Sequence, residues 1–387
     1  MSSKKFLAFT GIRSDFDLMS YVYKELSSSQ DAEFKVLAYG AHLSSRFGNS
    51  IQEIRNENLS ILDELDTLND SDTRESRILS ASNLMTKAVP IISKYSPDRL
   101  IFAGDREDAL VAAIIGGYLR IPTIHFFGGD HSTDGNIDNA ARHAISKLST
   151  FHFVSCDDHK QRLIKIGEPE FRIFCGGSPS LDKLRNESLI DKNELIGKVT
   201  GTSKPWPRKT ALLTFHPMHG EELIAGEQIE NILIELLIQG YFIFCNSPNI
   251  DAGHGKIFSI YDKFSNNADI QFFKNLPRSS FINLMRHVDL IIGNSSAGII
   301  EAATLKKPVI NVGNRQFGRL AGKNVLFCGE SPKDIRAALL GAQSAEFLRK
   351  LDELINPYGD GYSVPRIVQK LLEVDFNSII DKKEDPL

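Results

Sequence analysis

Short β-rich runs alternate with longer amphipathic stretches along the chain, and this alternation restricts the possible folds more than any other feature. Six runs fall in the first half of the 387 residues and six in the second. Strands that alternate with helices form parallel sheets. The pattern predicts an α/β chain with two Rossmann-like parallel-sheet domains. The runs cover residues 6–10, 35–38, 99–102, 123–126, 151–154 and 172–174, then 211–215, 242–245, 270–273, 290–292, 309–312 and 325–327.

A polar stretch with two prolines near its end separates the two halves, so we place the domain boundary there. The predicted N-terminal domain spans residues 1–183, the interdomain segment 184–209 and the C-terminal domain 210–365. Residues 366–387 are expected to form a C-terminal helix and tail, and the final "IIDKKEDPL" has the composition of a frayed charged end.

Composition and charge exclude several classes of function. A net charge of -4 without a basic stripe argues against a nucleic-acid partner. The N-terminus has too few apolar residues for a signal peptide, and no stretch reaches membrane-spanning length, so we expect a cytoplasmic protein without membrane contact. The cysteines are far apart in the sequence, which predicts neither a zinc site nor a disulfide framework. They are Cys156, Cys175, Cys245 and Cys328.

Polar or glycine-rich clusters follow nearly every predicted strand. Examples are "TGIRSD", "AGDRED", "FFGGDH", "TFHPMHG" and "IGNSSAG". In open parallel sheets, ligands bind outside the carboxyl ends of the strands. We therefore expect two sheets that face one another across a single cleft, with the active site in that cleft.

The stretch "DLIIGNSSAGIIEAATLKKP", residues 289–308, is typical of a buried strand that leads through small residues into a helix N-terminus. Such a terminus favours an anion, although serines at this place also serve simply as helix caps. Glu301, one to two turns into the predicted helix, and Arg315 after the next strand favour a nucleoside diphosphate. No glycine-rich loop ending in Gly-Lys-Ser/Thr is present, which disfavours a nucleoside triphosphatase. The motif residues are Ser295, Ser296 and Gly298.

Two further basic side chains are candidates for the same diphosphate. Arg13 follows the first strand at a turn, where the alternative is an ordinary surface arginine. His216 lies between an apolar strand and Pro217, where the alternative is a buried structural histidine.

Acid–base candidates cluster in the first half of the chain. Asp105 follows a strand, and one loop with the helix start after it carries several more groups. Two carboxylates in one cleft shift each other's pKa, so that one acts as acid and one as base. The alternative is a solvated polar loop with Asp138 as a helix cap, and the spacing does not decide which two groups would act. The loop residues are Asp130, His131, Asp134, Asp138, Arg142 and His143.

The motifs together resemble the hydrolysing UDP-N-acetylglucosamine 2-epimerases and their relatives that act on 2,4-diacetamido sugars for sialic and legionaminic acid synthesis. The resemblance covers essentially the whole chain. It implies a glycosyltransferase-B-like fold with a C-terminal helix that crosses back to the N-terminal domain, a homodimer or homotetramer, and no redox cofactor or metal. Its motifs include "GAHLSSRFG", "GDREDALVAA", "GNIDNAARHAISKL", "NSPNIDAGHGK", "IIGNSSAGIIEA" and "NRQFGR".

The resemblance also implies roles for the candidate residues. Glu301 matches the ribose ligand, and Phe281 with Arg106 matches the uracil site. Asp105, Asp130, Asp138 and Arg142 match polar positions around the sugar. The implied reaction removes the C2 proton, expels UDP to leave a 2-acetamidoglucal, and adds water to give the free epimerised sugar. Diphosphate positions are matched by Arg13, His216, Ser295, Ser296 and Arg315.

Two positions depart from the family pattern. Phe127 stands where the family usually has a glutamate, and Asn139 replaces the second of two aspartates. Neither side chain exchanges a proton at neutral pH. Three hypotheses about the function therefore stay open at the sequence level: a 2-epimerase, a nucleotide-sugar hydrolase or transferase without C2 chemistry, and a catalytically silent nucleotide-sugar binder.

Overall fold

The computed structural model describes residues 3–71, 74–133, 137–218, 220–248, 253–274 and 276–384. The chain divides into two compact units. Unit 1 comprises Met1–His131, Ile137–Lys183 and Tyr358–Leu387, and unit 2 comprises Ser132–Asn136 and Leu184–Pro357. The domain limits derived from the sequence stay a prediction about which stretches fold independently.

Unit 1 contains, within the described ranges, a parallel sheet of seven strands in the order β3-β2-β1-β4-β5-β6-β7. The order reverses between β1 and β4, which makes their carboxyl ends the switch point where such sheets bind ligands. The strands are β1 Lys4–Thr10, β2 Ala32–Tyr39, β3 Ile61–Leu65, β4 Arg99–Ala103, β5 Thr123–Phe126, β6 Phe151–Val154 and β7 Ile173–Cys175.

Helices cover both faces of this sheet, so its central strands are apolar on both sides. In β1, Phe6 faces one buried cluster and Leu7 the other. The helices of unit 1, numbered in chain order, are α1 Arg13–Ser28, α2 Ile51–Asn56, α3 Arg74–Tyr95, α4 Glu107–Leu119, α5 Ile137–Leu148, α6 Asp157–Lys165, α7 Pro179–Asn186 and, near the C-terminus, α15 Ser363–Glu373.

The C-terminal tail packs against unit 1 through residue 384, so the prediction of a frayed end is wrong for the described part. Phe376 is fully buried in the core cluster that also holds Phe6. The Lys382 ammonium donates to Glu168 Oε2 at 2.7 Å, and the buried Arg172 guanidinium donates to Glu384 Oε1 at 2.8 Å. The charged residues that suggested a solvated end are therefore the ones that anchor it.

Unit 2 repeats the same winding. The part of it that the structure describes holds six parallel strands in the order β10-β9-β8-β11-β12-β13, with the switch point between β8 and β11. Its strands are β8 Thr210–Thr214, β9 Phe242–Asn246, β10 Ile270–Phe273, β11 Leu290–Gly293, β12 Val309–Val312 and β13 Val325–Cys328. Its helices are α8 Lys192–Thr200, α9 Ala225–Ile238, α10 His254–Phe264, α11 Arg278–His287, α12 Ser296–Ile300, α13 Pro332–Ala342 and α14 Ala345–Lys350.

The predicted fold class, an α/β chain with two parallel sheets, is confirmed, and each predicted run overlaps a strand. The sequence missed β3, an edge strand that carries exposed Asp63 and Glu64 and pairs with β2 through a register shift. The polar segment 184–209 is more ordered than its composition suggests, because α8 places Leu195 and Val199 in a buried cluster of unit 2. Among the described residues, no helix has the length and apolar character needed to cross a bilayer.

Candidate functional site

Most of the predicted site residues that the structure describes follow strands at the carboxyl edges of the two sheets. In unit 2, Asn294 follows β11 and is fully buried. Its Oδ1 accepts from the backbone N–H of His216 at 2.8 Å, and its Nδ2 donates to the carbonyl of His216 at 2.8 Å. A Cβ at Gly293, whose φ is +130°, would lie 2.0 Å from the Thr214 carbonyl oxygen. The ends of β8 and β11 can approach this closely only with glycine at that position.

Arg315 reaches the same point from the loop after β12. The Arg315 guanidinium and the Gln316 side-chain amide each donate to the Asn294 carbonyl at 3.0 Å. Ser295 follows directly and caps α12, with its Oγ 3.4 Å from the Ala297 nitrogen. Three residues predicted from the sequence, His216, Ser295 and Arg315, therefore surround Asn294, which the sequence analysis did not select.

Two more motif residues lie in α12. Ser296 is its first residue and Gly298 is buried within it. A Cβ at Gly298 would lie 3.1 Å from Val309 Cγ1, so the glycine lets the helix pack close to β12.

His216 has an unusual electrostatic environment. Burial lowers the pKa of His216 to about 3, and the positive charge of Arg315 adds to the shift. The imidazole is consequently neutral at pH 7. A bound anion between the two groups would stabilise the protonated form and raise this pKa.

Glu301 was expected one to two turns inside a helix, but α12 is five residues long and Glu301 is its C-cap. The chain continues in tight turns, in which the Thr304 nitrogen donates to the Glu301 carbonyl at 3.0 Å and Lys306 adopts a φ of +52°. The Glu301 side chain is buried and accepts from Arg278 Nη2 at 2.7 Å. Arg278, at the start of α11, was not foreseen.

A small cavity opens at the same edge of unit 2. Phe281 from α11, Thr214 from β8 and Ser295 contribute to its lining. The Arg278 guanidinium carbon lies 5.9 Å from the centre of the Phe281 ring. A flat aromatic side chain, a buried carboxylate and two guanidinium groups are thus available on one unit.

In unit 1, three predicted acid–base residues meet. The buried Arg142 guanidinium donates to Asp105 Oδ2, and its Nη1 lies 3.7 Å from Asp130 Oδ2. Asp130 Oδ1 accepts from the His131 backbone at 2.8 Å and lies 3.4 Å from His159 Nε2. His159, on α6, is an additional member of this cluster and gave no signal in the sequence.

Asp138 belongs to a second cluster. Arg77, on α3, donates to Glu107 Oε2 through Nε at 2.9 Å and to Asp138 Oδ1 through Nη2 at 3.2 Å. Burial opposes the ionisation of Glu107, but hydrogen bonds from Arg77 and the charge of Arg106 outweigh it and lower the Glu107 pKa. Burial raises the pKa of the next carboxyl, Asp108. Environments that separate neighbouring pKa values are typical of acid–base sites.

The remaining candidates lie at the switch point of unit 1 or near it. Arg13 is the first residue of α1, and its Nε lies 2.8 Å from Glu53 Oε1. Arg106 is the N-cap residue of α4, with Nη2 3.7 Å from Glu107 Oε1. Asp134 lies outside the described residues.

Phe127 and Asn139, the two departures from the family pattern, lie in different structural environments. Phe127 has a φ of +65°, which is a strained conformation for a bulky residue and is concentrated at functional sites in proteins. Its nitrogen donates to the Phe153 carbonyl at 3.0 Å, and its ring packs on the core of unit 1. Asn139 lies in the first turn of α5 beside Asp138. In the described part of the chain, no group of three or more His, Cys, Asp and Glu side chains is arranged to hold a metal ion.

Comparison with known proteins decides the family. A family model described as UDP-N-acetylglucosamine 2-epimerase matches residues 24–372. The chain belongs to this family. The predicted family resemblance is thereby confirmed.

Two relatives of this family member are named as hydrolysing N,N'-diacetylbacillosamine 2-epimerases. The UDP-N,N'-diacetylbacillosamine 2-epimerase (hydrolyzing) of Legionella pneumophila is 32% identical over 380 residues, which cover 98% of each chain. The GDP/UDP-N,N'-diacetylbacillosamine 2-epimerase (hydrolyzing) of Campylobacter jejuni is 30% identical over 350 residues, which cover 90% of this chain and 89% of the relative.

A solved structure supports the fold of the family member. The UDP-GlcNAc 2-epimerase of Neisseria meningitidis, solved with UDP-GlcNAc bound, superposes with a TM-score of 0.81 at 22% identity. The match covers 96% of this chain and 100% of the Neisseria chain. The two parallel-sheet units are therefore of the glycosyltransferase-B type.

Proposed function

We propose that this protein is a hydrolysing nucleotide-sugar 2-epimerase that converts a UDP-linked 2,4-diacetamido sugar to UDP and the free manno-configured sugar. The observation that carries the proposal is the arrangement of His216, Ser295 and Arg315 around Asn294 at the switch point of unit 2. The names of both relatives described above support a diacetamido sugar over UDP-N-acetylglucosamine.

The nucleotide would be held by the residue types that each of its parts requires. A diphosphate needs hydrogen-bond donors and positive charge, and a ribose diol needs a carboxylate acceptor. We assign the diol to Glu301 and the base to Phe281, with Arg106 as its polar partner. Gly298 allows α12 to pack closely enough to present the serines. The diphosphate is assigned to Arg13, His216, Ser295, Ser296 and Arg315.

The reaction proceeds in two steps, an elimination and an addition. A carboxylate accepts the C2 proton while the bond between C1 and the diphosphate oxygen breaks, and the electron pair leaves with UDP. The resulting glycal has a double bond between C1 and C2. Water then adds its hydroxyl to C1. C2 receives a proton on the face opposite to the one from which the first proton was removed.

Asp105, Asp130 and Asp138 are the carboxylates proposed for this proton transfer, because Phe127 and Asn139 cannot take part. Arg142 holds Asp105 and Asp130 from a single buried guanidinium, which fixes their relative position. Removing one general acid or base typically slows an enzyme on the order of a hundredfold or more.

Turnover in heavy water tests the proposal. With a UDP-2,4-diacetamido sugar or UDP-N-acetylglucosamine as substrate, we expect free sugar with the manno configuration and deuterium at C2, detected by NMR and mass spectrometry. Asp105→Asn should slow its formation by roughly two orders of magnitude. Asp63→Asn, an exposed change on the edge strand β3, is the matched control and should leave the rate unchanged.

Release of UDP with a gluco-configured sugar that keeps its original hydrogen at C2 would contradict epimerisation. Absence of UDP release with either substrate would contradict an enzyme of this class. A cytoplasmic location, a homodimer or homotetramer, and a role in nonulosonic acid synthesis complete the proposal and rest on the sequence alone.

A further inference from the structure

A buried ion pair joins two elements at the nucleotide edge of unit 2. Arg278 Nη2 and Glu301 Oε1 are 2.7 Å apart, and the two side chains are 14% and 5% exposed. Arg278 begins α11 and Glu301 ends α12. Burying two charges costs desolvation energy that their attraction often only balances, so such a pair is weak evidence for stability. A role in ligand binding explains better why it lies at this edge.

Arg278 also lies over the Phe281 ring of the same site. Phe281 is three residues further along α11, which places the two side chains on one face of the helix. The guanidinium carbon lies 5.9 Å from the ring centre, and the ring lines the cavity that Thr214 and Ser295 also border. Arg278 therefore stands between the ring assigned to the base and the carboxylate assigned to the ribose.

We propose that Arg278 is a positioning residue for the nucleoside, which fixes the Glu301 carboxylate in the orientation that accepts hydrogen bonds from the ribose hydroxyls. The inference rests on the proposed function and extends it to a residue outside the motifs. A carboxylate offers about four acceptor directions, so a guanidinium bond at one oxygen is compatible with hydroxyl donors. An acceptor that is already oriented loses less side-chain entropy when the ligand binds.

Arg315 has a different task, because it approaches from another loop and bonds the Asn294 carbonyl beside Ser295. The structure thus separates a guanidinium for the ribose from a guanidinium for the diphosphate. This separation makes the inference testable, since ligands that lack one of these parts can be compared.

The experiment is calorimetric titration of UDP, 2′-deoxy-UDP and inorganic pyrophosphate into wild-type protein and the variants Arg278→Met, Arg278→Lys and Glu301→Gln. Arg278→Met should weaken UDP binding about tenfold or more, the loss expected when a hydrogen bond to a charged group disappears. It should leave pyrophosphate affinity unchanged. Wild-type protein should prefer UDP over 2′-deoxy-UDP, whereas Arg278→Met and Glu301→Gln should lose most of this preference. Arg278→Lys should restore part of it.

The matched control is Arg336→Met, which breaks another pair in unit 2 between an arginine and a buried glutamate, with Arg336 Nη2 2.7 Å from Glu235 Oε1. It should change none of the three affinities. Unchanged preference for the ribose hydroxyl in Arg278→Met, or equal weakening of UDP and pyrophosphate, would show that the pair is merely structural. If Arg278→Met fails to fold, Arg278→Lys and Glu301→Gln decide by the same criterion. Wild-type protein that binds no UDP would instead contradict the proposed function itself, and the inference with it.

Discussion

His42 shows how a single buried residue couples this fold to pH. Its ring is fully buried after β2, with Nε2 3.0 Å from Thr10 Oγ1 and Nδ1 2.8 Å from Ser50 Oγ. Burial lowers the pKa of His42 to about 4, although a hydrogen bond with the Ile12 backbone opposes the shift. The unfolded chain has an ordinary histidine pKa of about 6.5. Between these two pH values the unfolded state binds more protons, so the contribution of His42 to stability decreases as the pH falls.

We therefore expect His42→Gln to destabilise the protein most at neutral pH. The difference in the free energy of unfolding between wild type and variant should shrink by up to about 1.4 kcal/mol per pH unit between pH 6.5 and 4. Urea denaturation at pH 7.5 and pH 5 measures it. A difference that stays constant across this range would mean that the ring is not held neutral.

At the same scale, the sequence identified residues whose type suits a ligand but missed residues that act through a neighbour. His216, Ser295 and Arg315 follow strands directly, which the motif pattern reveals. Arg77 holds Asp138 from 61 positions away, and no local pattern reports a contact between such distant residues. Asn294 could have been found, because a polar residue between Gly293 and Ser295 in a buried turn must bond the backbone.

At the scale of elements, the tail completes a helix of the candidate site. The Lys382 ammonium donates to the carbonyls of Ser146 and Lys147, at 3.1 and 2.9 Å, which lie in the last turn of α5. The final carbonyls of a helix have no partner within the helix itself. The same ammonium pairs with the buried Glu168. The tail thus caps the helix that carries Asp138 and Arg142.

Lys382→Met should consequently lower the free energy of unfolding by about 1–3 kcal/mol, the cost of leaving buried acceptors without a partner. The neighbouring Lys383→Met provides the control, because Lys383 is exposed. Thermal denaturation compares the two variants. Equal melting temperatures for both would show that the tail is only loosely attached.

Sequence patterns predicted the buried strands better than the edge strand β3 and the C-terminal tail. Buried parallel strands are continuous apolar runs, and all of these were recognised. The edge strand β3 has a half-polar pattern because only part of it is covered, and the tail looks disordered because its anchors are charged. The extent of α12 was overestimated, since the helix-forming residues after Ile300 adopt tight turns instead.

At the scale of the whole molecule, UDP binding should stabilise the fold. A ligand that binds only the folded state adds about 2.7 kcal/mol at a hundredfold excess over its dissociation constant. We expect millimolar UDP to raise the melting temperature of wild-type protein and to raise that of Arg315→Ala less. Differential scanning fluorimetry measures both. An unchanged melting temperature for wild type would contradict nucleotide binding.

Unit 1 is built from stretches at both ends of the chain, so its core can be completed only late in protein synthesis. Its core cluster combines β1 with Ile367, Leu371 and Phe376, and all of unit 2 lies between these stretches in the sequence. A ribosome therefore releases the whole of unit 2 before the residues that close this core. Until then the nascent chain exposes the apolar surface that α15 later covers, and exposed apolar surface of this kind favours aggregation. A stop codon after residue 357 would leave that surface permanently open.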